Sequence, residues 1–349
     1  MEKSEPLKLD RAHRVYRAMI GTGGIGTGSF FALRGNHTLG REESRSGHFI
    51  NRRDYCKLHI VSHYVQTLLG SGFATYPIGM VGDDDAGSRL KQEMAEAGLD
   101  LRYIRTLQGF PTLFSFCFLY PDDSGGNMTT DDSASSQVCP ENVTEAEAVF
   151  ARYGSRGVAL AVPEVPLEAR FALLDMASAY SLFRVASFTS GEIREMGVSP
   201  VYDKVDLLAL NLEELRQLVG LDVESRGQEL KPAHALEKVC ERYPQLLLTV
   251  TDGGRGSWSC DGNRLCHQPS VSAEVASTAG AGDAFLAGVI SGLTAGLTLN
   301  EAQQLGTLTG ALSVTSPHTI HRGIHRRSLS RFLRESGYGV SDSLLGLID

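Results

Sequence analysis

From Ser277 to Ile290 the chain reads Ser-Thr-Ala-Gly-Ala-Gly-Asp-Ala-Phe-Leu-Ala-Gly-Val-Ile. Small residues lead into one carboxylate, and an apolar run follows at once. Small side chains let a ligand approach the backbone closely. A helix starting here would turn its first free amides toward that ligand, and those amides attract negative charge. Asp283 in the first turn then has the position of a general base facing a phosphoryl group, with Gly280, Ala281 and Gly282 supplying backbone donors. An acid in a first helical turn also serves simply as a dipole partner.

The rest of the chain alternates in type. Strand patterns occur at Val15–Ile20, Ala74–Ile78, Val158–Val162, Leu182–Ala186, Val205–Leu210 and Leu246–Thr251. Helical periodicity marks Leu58–Leu69, Ser88–Ala97, Leu167–Ala179, Leu212–Val219, Pro232–Tyr243, 281–296 and 300–315. Strands separated by helices predict an α/β fold with a mainly parallel sheet covered on both faces. Two β-rich excursions, about 28–53 and 103–130, lack helices of their own. They are expected to pair into a small β-sheet lid over the site. One domain is expected over 14–330, with 1–13 a frayed tail, 331–349 a terminal extension and 222–231 a solvated segment.

A net charge of -8 argues against nucleic acid or an anionic membrane as the main partner. No apolar run is long enough to span a bilayer and the N-terminus is polar, so the cytoplasm is the expected location. The six cysteines form no CxxC pair and read as reduced, buried thiols. His59 and His63 share a helix face, but no acid completes a metal motif around them.

The string Ser277–Phe285 resembles the C-terminal signature of the ribokinase/PfkB family of small-molecule kinases, and the match continues through Ala287, Gly288, Val289 and Ile290. Asn211-Leu212-Glu213-Glu214 resembles that family's Asn-x-x-Glu motif. This implies that Glu214 helps hold Mg²⁺ and its waters and that Asn211 lies near the nucleotide phosphates. The same spacing is also a helix capping box. Thr251-Asp252-Gly253-Gly254-Arg255-Gly256 resembles the Thr-x-Gly-x-x-Gly turn, which implies that Thr251, Gly253 and Gly256 receive the ATP phosphates. A Gly-rich hairpin entry would look similar. The stretch Thr307–His318 matches the wall of the adenine pocket, which brings His318 toward the nucleotide. Gly79 to Asp84, Pro111-Thr112 and Glu164-Val165-Pro166 fall where comparable residues occur, and Glu164 joins the substrate group.

The chain also departs from the pattern. Ser277 stands where the family most often has Asp, and His318 where it usually has Gly, so a K⁺ requirement does not carry over. Gly26-Thr27-Gly28 replaces Asn-x-Asp, leaving Gly26 and Gly28 as substrate contacts without a carboxylate. Cys56 and Lys57 fall near the usual Gly-Gly pair. Arg41 and Arg45, with Arg52 and Arg53, suggest an acidic or phosphorylated substrate.

The resemblance implies a ribokinase-like three-layer α/β/α sandwich. Its expected reaction moves the γ-phosphate of Mg·ATP to a hydroxyl of a sugar, sugar acid or nucleoside-like molecule, with Asp283 as base. Lid edges could pair two copies into a homodimer. One rival is a nucleotide-binding protein of the same fold with altered phosphotransfer. Another is an NAD-dependent oxidoreductase, from Gly21-x-Gly23-x-x-Gly26 with Glu42 or Glu43 downstream.

Overall fold

Residues of one strand alternate between two apolar layers. Met19 packs on one face of the sheet and Ala18 and Ile20 on the other; Val158 and Leu160 part from Ala159 and Ala161 in the same way. This period of two, with both faces apolar, is what a sheet buried between helices requires. The computed structural model describes residues 5–122, 125–196, 203–220 and 231–349. The strands are β1 (Ala18–Thr22), β2 (Gly26–Leu33), β3 (Gly47–Tyr55), β4 (Ala74–Gly82), β5 (Ile104–Leu107), β6 (Leu113–Leu119) and β7 (Gly125–Thr129). They continue with β8 (Gly157–Ala161), β9 (Phe183–Ala186), β10 (Leu207–Asn211), β11 (Leu247–Thr251), β12 (Ser257–Cys260) and β13 (Leu265–Gln268).

Nine described strands form one sheet in the order β13-β12-β11-β10-β9-β8-β1-β4-β5. It is parallel from β11 to β5, and β12 and β13 run antiparallel at one edge. The helices Lys57–Leu69, Ala281–Thr294 and Leu299–Ser313 cover one face. Leu167–Ala179, Leu212–Leu218 and Pro232–Arg242 cover the other. The three-layer α/β/α expectation holds.

The second sheet has four strands in the order β3-β2-β6-β7. It is the expected lid, but β5 is not part of it: Ile104–Leu107 pairs with β4 and extends the large sheet. The lid is pinned where it leaves the body. Asp84 caps the helix Asp85–Glu96 through the Gly87 amide at 2.7 Å and also accepts the Thr112 amide at 2.8 Å, just before β6.

The frayed-tail reading is corrected for residues 5–13. Leu7 is buried, its amide donates to the Leu68 carbonyl, and the Lys8 amide donates to the Leu347 carbonyl. The other end is no loose extension either, because helices Arg326–Ser336 and Asp342–Ile348 bury Leu329, Leu333, Leu344 and Ile348 in the core. Two cysteines also differ from expectation: Cys240 and Cys260 are disulfide-bonded, while Cys56, Cys117, Cys139 and Cys266 are free. Most of the charged segment 222–231 lies outside the described residues. No described helix is long and apolar enough to cross a membrane.

Candidate active site

The small-residue run does form a helix start. Gly280 is the N-cap of Ala281–Thr294 and has φ 78, a left-handed conformation that costs a side-chain-bearing residue energy. A Cβ there would also lie 2.7 Å from the Thr319 carbonyl oxygen. Asp283 is in the first turn, with its side chain 17% exposed. The amide of Ala281 donates to the Thr278 carbonyl at 3.2 Å, so of the three backbone donors expected here Gly280 and Gly282 remain.

Two cavities meet at this helix start and share Val275 and Thr278. One, of about 460 Å³, is walled by Thr251, Gly253 and Gly256 on one side and by Ala281, Gly282 and Phe285 on another. Thr307, Gly310, Ala311 and Val314 close it with small and apolar surface. Thr251, Gly253, Gly256, Ala281 and Gly282 thus come together as the sequence reading required. His318 does not join them. It lies across a lid strand, where its Nδ1 accepts the Arg53 amide at 3.0 Å, and it lines a separate cavity with Arg53 and Arg322.

Asn211 and Glu214 are a real capping box: each amide donates to the other's side chain at 2.8 Å. Neither side chain lines the two cavities. Glu214 is nonetheless in electrostatic contact with the site. Burial raises its pKa, opposed by Lys57 and reinforced by Asp283.

The larger cavity, about 790 Å³, lies between the helix start and the inner face of the lid. Gly280, Asp283 and Glu164 line it, as expected, together with Asp54, Lys57, Ser115 and Asn127, which sequence reasoning passed over. Lys57 Nζ stands 3.9 Å from Asp283 Oδ1. Burial works against the charge on Lys57, but Asp283, Glu214 and Glu164 outweigh it and hold its pKa above the usual value. Burial raises the Asp283 pKa, with Lys57 opposing. It pushes Glu164 up to about 7, although Lys57 opposes here too and the Lys57 amide donates to Glu164 Oε2 at 3.2 Å. Glu164 also has φ 78, a strained backbone for a non-glycine residue of the kind that gathers at functional sites.

The other expected substrate residues have different places. Gly26 starts β2 packed against Leu113 and Cys56, and Gly28 pairs with Asp54; neither lines the cavity. Arg41 is exposed on the loop before β3. Arg45 is tied into that loop by Glu43 at 2.6 Å and by the His37 carbonyl at 2.7 Å. The dinucleotide reading fails locally, because Gly21 to Gly26 leads into lid strand β2 and not into a helix whose amides could hold a pyrophosphate.

The sequence profile of pfkB family carbohydrate kinases matches residues 62–325. The chain belongs to the pfkB family. It is 27% identical over 273 residues to the bifunctional protein HldE of Gluconobacter oxydans, covering 75% of this chain but only 53% of that protein. It is also 27% identical to fructoselysine 6-kinase of Shigella flexneri, covering 68% of this chain and 81% of the relative. Among solved structures, the ribokinase of Cryptococcus neoformans in complex with ADP superposes with a TM-score of 0.72 at 19% identity, covering 92% and 99% of the two chains. The nucleoside kinase of Burkholderia thailandensis in complex with inosine gives 0.70 at 17% identity, with coverage of 92% and 99%. The ribokinase-like fold and a carbohydrate-kinase activity class follow for this pfkB member. The profile match begins at residue 62, after the Gly26-Thr27-Gly28 stretch and Lys57.

Proposed function

We propose that this pfkB protein transfers the γ-phosphate of ATP to a hydroxyl of a sugar or sugar-like molecule, with Asp283 as general base. The observation that carries this is the position of Asp283. It is the carboxylate at the junction of the two cavities, in the first turn of a helix whose free amides face the same point. The smaller cavity, with its glycine turn and apolar end, suits the phosphates and base of a nucleotide. The larger one holds the acceptor. Asp283 takes the proton of the attacking hydroxyl, and the amides of Gly280 and Gly282 offset the charge on the phosphoryl oxygens. Lys57 favours the ionised form of Asp283 and opposes the effect of burial, which raises its pKa.

Glu214 is a fitting outer ligand for Mg²⁺. Its Oε2 is occupied by the Asn211 amide, and a carboxylate has a second oxygen to offer a metal-bound water. When bound, the ion supplies positive charge to the transferring phosphates. On the outer face of the lid Phe49 packs edge-on to both Phe31 and Phe116, and it is 65% exposed. That apolar face is the one we assign to homodimer pairing, and sedimentation of Phe49→Asp against the parent chain tests it.

The deciding assay is ADP release from Mg·ATP across neutral sugars, sugar acids and nucleosides. Turnover by the parent chain and its loss in Asp283→Asn support the reading. Nucleotide binding without turnover of any acceptor would favour the altered, binding-only protein.

A further inference from the structure

Among the described residues, three carboxylates face the larger cavity: Asp54, Glu164 and Asp283. Lys57 is the counter-charge for two of them. Asp54 has no ion-pair partner among the described residues. It is 6% exposed, and the groups that hydrogen-bond to it are neutral: the hydroxyls of Ser115 and Thr319, the Tyr55 amide and the Cys117 thiol, whose Sγ is 3.6 Å from Oδ2. Burial accordingly raises its pKa. A buried carboxyl without a cation is costly, and groups of this kind cluster at functional sites.

The surroundings are shaped to keep it. Gly28 pairs directly with Asp54 across β2 and β3, and a Cβ on Gly28 would lie 2.5 Å from Asp54 Oδ2. The absent side chain at Gly28 is therefore what gives the carboxylate its place. A register shift follows between Gly28 and Phe30, which re-aims the strand at this point. Next to it the Ser115 hydroxyl donates to Asn127 Oδ1 at 2.6 Å, which leaves the Asn127 NH₂ group to the cavity.

The arginines that suggested an anionic substrate do not gather here. Arg41 and Arg45 are on the outer loop, and Arg53 lines the cavity behind β3. Of the four, Arg52 reaches the cavity, with its guanidinium 5.8 Å from the centre of the Phe30 ring.

We propose that Asp54, delivered by lid strand β3, is the substrate-recognition carboxylate of this chain. The acceptor presents hydrogen-bond donors to it, adjacent hydroxyls or an ammonium group, and has no anionic group at that end. This rests on reading the cavity as the acceptor site of a kinase.

Calorimetric titration of sugars into the ADP-saturated protein tests it without requiring turnover. D-Ribose, D-fructose and inosine form the hydroxyl arm, D-glucosamine the ammonium arm, and fructose 6-phosphate and D-gluconate the anionic arm. Donor-bearing neutral or cationic compounds are expected to bind at least about tenfold more tightly than the anionic ones. Asp54→Asn should weaken the better arm about 30-fold, the scale set by a buried acceptor built to meet a donor, and leave ADP affinity within twofold. A larger loss for glucosamine than for the neutral sugars identifies the donor as ammonium. The variant is isosteric and removes an unpaired buried charge, so its Tm should not fall; weaker binding with an unchanged or raised Tm is not misfolding. Tighter binding of the anionic arm, no binding by any donor-bearing compound, or an Asp54→Asn affinity within twofold of the parent would overturn the proposal. Sugar binding through Asp54 with no ADP release would leave it standing and refute the kinase reading instead.

Discussion

The nucleotide-side cavity is built mostly of backbone, and the lid-side cavity mostly of side chains. On the first side the surfaces are the turn Thr251 to Gly256 and the start of the helix at Gly280, both at the C-terminal edge of the large sheet. On the second they are Asp54, Lys57, Asn127 and Glu164, brought together from β3, a helix start, β7 and the loop after β8. A backbone site needs particular small residues in a fixed local order, so it leaves a motif. A side-chain site needs only that distant strands pair in one register, and many sequences achieve that.

The sharpest test of this contrast is at the junction. Asp283→Asn should cut turnover about 10³-fold while ADP still binds, as expected for the loss of a general base. In the parent chain, kcat should fall as acid protonates Asp283, on a limb displaced above the ordinary carboxylate range because burial raises its pKa. A pH–rate profile with no acid limb would remove Asp283 from that role.

Gly280→Ala should hurt both sides together. The new Cβ meets the Thr319 carbonyl at 2.7 Å and φ is 78, so a stability loss of about 3 kcal/mol is expected by denaturant titration. Weaker ATP binding should accompany it. If only stability changes, the helix start is a structural cap and nothing more.

Glu164→Gln probes the lid side through pH. In the folded chain Glu164 keeps its proton up to about pH 7, whereas an unfolded glutamate releases it near 4.5. Between those values the folded state binds more protons, so parent stability declines as pH rises. The gain of Glu164→Gln over the parent should grow from pH 4.5 to 7 and then level off. About 2 kcal/mol is expected, since partial exposure reduces the full effect of the shift. A gain constant with pH would mean that Glu164 titrates normally.

Thr251→Val belongs to the nucleotide side alone. It should raise the KM for ATP about tenfold and leave the acceptor KM unchanged, the effect of losing one hydrogen bond to a charged group. His318→Ala should have the smallest effect, with ATP KM within twofold. A large increase would return His318 to the nucleotide site from which its bond to Arg53 separates it.

Much of this fold was legible from periodicity. Alternating apolar strands and amphipathic helices marked the large sheet, and Gly280 to Asp283 marked the helix start. Neither Asp54 nor Lys57 had a local signature. Together they flank Cys56 immediately before an apolar helix, and a carboxylate and an amine bracketing a helix start was the available signal. The arginines misled because charge in a polar stretch does not reveal its partner: Glu43 holds Arg45, and the strand alternation turns Arg53 away from Arg52. The N-terminal segment misled because a polar sequence with only two leucines, Leu7 and Leu9, gives little sign of burial.

Strand β3 is fastened to the body at its end. The Arg53 carbonyl accepts the Thr319 amide at 3.1 Å, the Tyr55 amide donates to Thr319 Oγ1 at 3.0 Å, and the Thr319 carbonyl abuts Gly280. The stationary leaf of the lid is therefore the one that holds Asp54, and it is keyed to the same residue that sets the helix amides. The start of β6 is also held, by Thr112 on Asp84, so any swing would fall to β7 and the 34–46 loop, turning about these fixed points. An acceptor resting on Asp54 would be registered against the phosphoryl site before the moving leaf arrives, so closure would seal an alignment already made.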